Sequence, residues 1–175
     1  MGGRVALHFA AAHPSKVRRL ILESASPGLA TQAERLGRQV NDEVLACEIE
    51  SHGVDEFVRR WEGLPLFESQ LQLPDPVRAE RHAQRLCNTE AGLANALRGL
   101  GTGVLPSLWD SLPAIQTRTL IIVGELDSKF IAIGEQMATA LPQAQLVIVP
   151  GAGHTVHLER PGCWVEAVDA FISSA

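Results

Sequence analysis

The spacing of apolar positions changes twice along this chain. Near the N-terminus Gly2-Gly3 reads as a sharp turn, and Val5, Ala6, Phe9 and Ala10 then recur at helical spacing. That spacing predicts a helix over 4–12 with one apolar face, closed by Pro14. VRRLILE (Val17–Glu23) reads as a strand, and SASPGL after it as a loop punctuated by Pro27 and Gly28. Residues 31–60 mix helix formers with charge, and Gly53 breaks them into two helices. WEGLPLFESQ is an aromatic, proline-bearing connector, and 74–100 predicts one or two further helices.

At Pro113 the pattern changes again. TRTLIIVGELD is a continuous β-branched apolar run ending in a polar turn, as expected of a parallel strand buried on both faces. Ile131–Leu141 predicts a helix, AQLVIVPGAGH a second strand with a Gly-rich turn, and 159–173 a last amphipathic helix. Strand–helix–strand–helix order implies right-handed parallel units. The expected architecture is therefore α/β: three parallel strands with flanking helices and a helical insertion. Core segments at 1–30 and 112–175 enclose a helical cap at 31–111. Three strands make a poor stand-alone sheet, and Val17–Glu23 is expected to present an unpaired edge.

Composition narrows the class. With 175 residues, 46% hydrophobic and 20% charged, the chain has the size and core of one domain and is not a disordered segment. A net charge of −5 without a basic block excludes an evident nucleic-acid footprint. No apolar stretch reaches a membrane span, and the N-terminal apolar run, broken by His8 and His13, is not a signal peptide. Cys47, Cys87 and Cys163 have neither metal nor redox spacing; they read as buried small hydrophobes in a reducing cytoplasm.

Chemistry in open α/β sheets collects on loops after the carboxyl ends of strands. Two such loops carry suitable groups: GELDSKF brings Asp127, and PGAGHTVH brings His154. A carboxylate fixes the tautomer of an imidazole and stabilises its cation, while the other ring nitrogen acts as base. Asp127 has a competing reading as an ordinary turn acid; Glu125 is a competing acid nearer the strand end and reads as a supporting or solvated group. His157 makes an H-x-x-H spacing with His154 but has no evident third ligand, so no metal is implied.

An Asp–His pair calls for a nucleophile. In the α/β-hydrolase order Ser, Asp, His, the serine sits in a G-x-S-x-G elbow between strand and helix. Met1-Gly2 fits the last two elbow positions, so the serine is expected just before Met1, whose backbone N would be an oxyanion donor. Ser24, Ser26 and Ser128 stand in no elbow. MGGRVAL, RQVNDE, FVRRWEGLPLFESQ, GELDSKF and GAGHTVHLERP together resemble the 2-succinyl-6-hydroxy-2,4-cyclohexadiene-1-carboxylate (SHCHC) synthases, α/β-hydrolase-fold lyases of menaquinone biosynthesis. The resemblance runs over essentially the whole chain and covers the part of the family's domain that follows the serine. GAGH…H…E.P is shared by many α/β-hydrolases; WEGLPLFESQ with GELDSKF is far more specific.

The resemblance implies proton abstraction and elimination of pyruvate by a Ser–His–Asp triad, without a cofactor. It implies a substrate with several carboxylates, gripped by Arg4, Arg38 and Arg85 and walled by Trp61. Each has a competing reading: the arginines as solvated residues, Trp61 as core. Two further functions stay open. A carboxylic-ester hydrolase would use the same triad for acyl transfer. Without the serine, the 175 residues would alone be an inactive fragment, partnered by a separate N-terminal half or by a second copy at the strand edge.

Overall fold

The computed structural model describes residues 1–174. The chain divides into two compact units, Met1–Pro27 with Leu108–Ala175, and Gly28–Ser107. In the first unit, helix α1 (Gly2–Ala12) leads to strand β1 (Arg19–Glu23). After the second unit follow β2 (Arg118–Gly124), α5 (Ser128–Ala140), β3 (Ala144–Val149), α6 (Val156–Glu159) and α7 (Pro161–Ser173). The sheet order is β1-β2-β3, all parallel, with Glu23 opposite Ile122 and Gly124 opposite Val149.

The central strand explains the layering. Ile121 and Val123 face a core built with Leu7, Ala10 and Leu22, and with Met137 and Leu141 of the α5 segment. Leu120 and Ile122 face the opposite core of Val149, Val156, Val168 and Phe171. All four β2 side chains are at most 1% exposed, as a continuous apolar run covered by helices on both faces requires. Among the described residues β1 pairs only with β2.

The second unit is helical. Its helix α2 (Gln32–Glu62) opens on a capping box: Thr31 Oγ1 accepts from Glu34 N, and the Glu34 carboxylate accepts from Thr31 N. Gly53, at φ 83°, divides α2 into two limbs, as the sequence pattern predicts. A 3-10 segment (Pro65–Gln72), α3 (Asp75–Leu86) and α4 (Glu90–Leu100) complete the unit. Its buried side chains include Ala46, Ile49, Val54, Val58, Phe67 and Ala94. Arg98 of α4 bonds both Glu43 and Glu50 of α2 and ties these helices together.

Several expectations need correction. Gly2-Gly3 is not a turn but the first residues of α1: the Met1 carbonyl accepts from Arg4 N and Val5 N. A Cβ on Gly3 would stand 2.6 Å from Ala25 Cβ, so this glycine permits close packing against the chain leaving β1. Strand β1 starts at Arg19 rather than Val17, because Pro14–Lys16 forms a 3-10 turn closed by Val17 N on Pro14 O. Helix α5 starts at Ser128, capped by Asp127, rather than at Ile131. The last helix is interrupted where Pro161, without an N–H, begins a new one. Cys47, Cys87 and Cys163 are exposed, not buried. They lie on outward positions of α2, at the C-cap of α3 and in the first turn of α7.

Candidate active site

Strand β2 ends at Gly124, and the turn that follows places Asp127 at the N-cap of α5. One oxygen, Oδ1, accepts from Phe130 N at 3.3 Å; the other, Oδ2, meets His154 Nδ1 at 2.7 Å. The Asp127 side chain is 5% exposed and that of His154 22%. The carboxylate only accepts, which places the ring proton on Nδ1 and makes Nε2 the basic position. Phe130 supports the imidazole with an edge contact, 4.7 Å between ring centroids. Local capping thus fixes the carboxylate, the carboxylate and an aromatic edge fix the ring, and the imidazole is left part-exposed.

The loop after β3 that carries His154 is bound to its surroundings through its backbone. Leu126 N donates to Ala152 O at 2.9 Å and Glu125 N to Val149 O at 3.0 Å. Glu125, the competing acid, does not meet the imidazole; its carboxylate accepts from Gly151 N at 2.9 Å. Glu159 accepts from Gly153 N at 2.6 Å and from Thr155 N at 3.1 Å. His157 Nδ1 bonds the carboxylate of Glu23, at the end of β1, at 2.9 Å and 3.0 Å. No group of three His, Cys, Asp or Glu among the described residues is arranged to hold a metal.

The remaining candidates are distributed over both units. Met1 is the N-cap of α1. Arg4, in the first turn of α1, is 6% exposed, so it is not a solvated surface residue. A guanidinium this deep requires anionic or carbonyl partners. In the helical unit, Arg38 Nε bonds Asp42 Oδ1 at 2.7 Å; its side chain is 44% exposed while that of Asp42 is 4%. Arg85 bonds Glu62 at 2.6 Å and Gln70 at 3.4 Å, and lies 5.7 Å from the centre of the Phe67 ring. Trp61 stands between Phe57 and Phe67, with centroids 5.5 Å and 5.6 Å away. It borders a cavity of about 340 Å³ whose wall includes Ile49, His52, Phe57 and Leu64.

Glu62 holds its proton less tightly than an ordinary glutamate. Burial alone would push it up, but hydrogen bonds from Arg85 and His82 outweigh burial. Sequence reasoning did not single out Phe130, Glu23 or Glu159. Only Glu159 left a signal, as the acid of the quoted GAGH…E.P pattern.

With this geometry the comparisons are consistent. A model of the alpha/beta hydrolase family matches residues 1–168, and the chain belongs to that family. A Bacillus subtilis (strain 168) protein carrying the provisional name of SHCHC synthase is 45% identical over 174 residues, 99% of this chain and 64% of that protein. The structure of MenH from S. aureus superimposes with a TM-score of 0.95 at 39% identity, covering 97% of this chain and 64% of that one. A thermophilic esterase from Thermogutta terrifontis superimposes with a TM-score of 0.81 at 27% identity, over 98% of this chain and 61% of that one. The chain thus spans less than two thirds of the length of these relatives.

Proposed function

We propose that this protein works as an SHCHC synthase-like lyase, with His154 as its base and Asp127 as the carboxylate that orients it. The observation that carries the base assignment is the 2.7 Å Asp127–His154 bond beside a part-exposed ring. The 45% identity to the B. subtilis relative supports the choice of reaction. The substrate is the enolpyruvyl-bearing cyclohexene precursor, SEPHCHC. A proton leaves ring carbon for the base, its electron pair forms the new C=C bond, and the C–O bond to the enolpyruvyl group breaks. The departing enolate takes a proton and becomes pyruvate.

A Ser–His–Asp triad suits this chemistry without an acyl-enzyme. Imidazole Nε2 receives the proton through the serine, and Asp127 stabilises the imidazolium that results. The serine of such a triad sits in a strand-to-helix elbow, and Met1, the N-cap of α1, is the proposed oxyanion donor through its backbone N. Arg4, Arg38 and Arg85 are the proposed carboxylate-binding groups and Trp61 an apolar wall. Arg38 uses one of its five donors on Asp42, and its remaining four suit a bidentate carboxylate contact. No helix among the described residues is long and apolar enough to cross a membrane. The three exposed thiols favour a reducing, cytoplasmic setting.

A second reading, carboxylic-ester hydrolysis, is favoured by the likeness to the T. terrifontis esterase. The deciding experiment assays the chain alone and joined to the part of the B. subtilis relative that it does not cover. SEPHCHC and a panel of carboxylic esters are then assayed side by side. We expect pyruvate release that His154→Asn abolishes, and negligible release from the 175 residues alone. Ester cleavage without pyruvate release would replace the lyase assignment by the hydrolase one.

A further inference from the structure

We infer that Glu159 is the positioning residue for His154, gripping the peptide N–H groups on both sides of it. The two carboxylate oxygens divide the work: Oε2 takes Gly153 N at 2.6 Å and Oε1 takes Thr155 N at 3.1 Å. Two N–H groups separated by one residue converge on one carboxylate only when the backbone between them is bent. The bent residue is His154. Its ring is held independently, by Asp127 on Nδ1 and by the Phe130 edge. Ring orientation and backbone position therefore have different anchors, and Glu159 supplies the second.

The placement of Glu159 makes this possible. It is the last residue of α6, a helix one turn long that begins directly after the His154 loop. The side chain curls back over that single turn to reach the loop backbone. Val156 of the same turn is fully buried in the sheet core, which seats α6 and with it the carboxylate. Pro161 then ends the turn and starts α7. The pattern GAGH…E.P thus describes one mechanical unit: small residues for the turn, an imidazole, and a carboxylate five residues on that closes the loop.

Glutamine at 159 keeps the shape and changes the chemistry. Its carbonyl can still accept from one N–H, but its NH2 group faces the other as a second donor. A carboxylate-to-peptide hydrogen bond is of the charge-assisted kind, and its loss should be visible as local opening.

The test uses the uniformly 15N-labelled 175-residue chain and measures three things. They are the downfield Nδ1–H resonance of His154, amide exchange at Gly153 and Thr155, and thermal unfolding. We expect Glu159→Gln to raise exchange at Thr155 and Gly153 by about tenfold to a hundredfold. The His154 resonance should broaden or vanish while cooperative unfolding persists. Glu135→Gln, the same charge change at an exposed position of α5, should alter none of these. The inference is overturned if Glu159→Gln leaves exchange and resonance as they are. It is equally overturned if resonance and cooperative unfolding disappear together, since Glu159 would then hold the whole unit. Absence of the resonance in the unmodified chain also counts against it.

The functional consequence rests on His154 being the base proposed above. In the chain joined to the remainder of the B. subtilis relative, Glu159→Gln should lower kcat with KM little changed. If that protein releases no pyruvate, the reaction assignment fails while the spectroscopic result still decides the role of Glu159.

Discussion

The tightest contact in the site is between backbones, at Gly124, and it makes a sharp test. A Cβ built on Gly124 would lie 2.1 Å from Gly153 O and 2.3 Å from Ala152 O. An unstrained carbon–oxygen approach is about 3.3 Å, so the His154 loop would have to retreat by about 1 Å. Both obstructing atoms are carbonyls, which cannot swing aside as a side chain would. Retreat lengthens Leu126 N–Ala152 O, now 2.9 Å, and Glu125 N–Val149 O, now 3.0 Å. Overpacking costs about 1–3 kcal/mol and the two weakened bonds about 1 kcal/mol each, giving about 3–5 kcal/mol for Gly124→Ala. With a urea slope of about 2 kcal/mol/M, the unfolding midpoint should fall by about 1.5–2.5 M. A 1 Å displacement of the base should also reduce turnover about a hundredfold in the joined protein. Gly134→Ala is the matched control. There the new Cβ meets Leu146 Cδ1 at 3.1 Å, a movable side-chain tip, and helix α5 gains about 0.5–1 kcal/mol of propensity. The reasoning fails if Gly124→Ala unfolds within about 1 kcal/mol of the unmodified chain and keeps the His154 Nδ1–H resonance.

Four further outcomes follow from the same geometry. Asp127→Asn should remove the Nδ1–H resonance and lower turnover by about 10³–10⁴-fold, since the amide does not hold the imidazole in the required tautomer. Glu62 titrates below the ordinary glutamate range, so its pairing stabilises the fold above that range and is lost as pH falls through the lowered value. Unfolding followed between about pH 6 and pH 3 should therefore be less acid-sensitive in Glu62→Gln than in the unmodified chain. Arg38→Lys keeps a cation beside buried Asp42 but loses the planar fork; KM should rise about tenfold at an unchanged urea midpoint, whereas Arg85→Ala should lower that midpoint by leaving Glu62 less paired. Replacing Cys47, Cys87 and Cys163 by Ser should end disulfide-linked species on non-reducing gels and change stability by no more than about 0.5 kcal/mol.

The central strand β2 was legible because burial on both faces writes itself as an unbroken apolar run. LVIV in β3 shows the same run although that strand is only partly buried, with Ile148 exposed, and Asp127 and His154 lie on the loops that follow the two runs. Gly53 was legible for a related reason: in a long helical pattern only its backbone freedom breaks the period. What stayed hidden depends on direction rather than on type. Nothing in the letters GG distinguishes a turn from a helix start pressed against Ala25. A cysteine has the composition of a core residue, and only the helix phase shows that Cys47 faces out. The reach of Glu159 back over one helical turn is likewise a property of the folded backbone, not of spacing alone.

The Asp–His arrangement does not by itself choose a reaction. A base at Nε2 can take its proton from a serine that then attacks an ester, or relay it from a substrate carbon. The two reactions differ in the anion chemistry they require. An ester hydrolase has no need of several guanidinium groups, whereas a polycarboxylate must be held against several cations to bring the acidic carbon to the base. Arg4 is buried, Arg38 has four donors beyond its bond to Asp42, and Arg85 is already engaged by Glu62, Gln70 and Phe67. On these contacts Arg38 keeps more donors for a ligand than Arg85 does. Arg85 holds the aromatic wall and the acid at the end of α2 in place. A substrate carboxylate would reach Arg85 only by sharing it with Glu62, which desolvation makes costly. If the proposed carboxylate-binding roles hold, Arg38→Lys weakens substrate binding, whereas Arg85→Ala weakens the fold before it weakens binding.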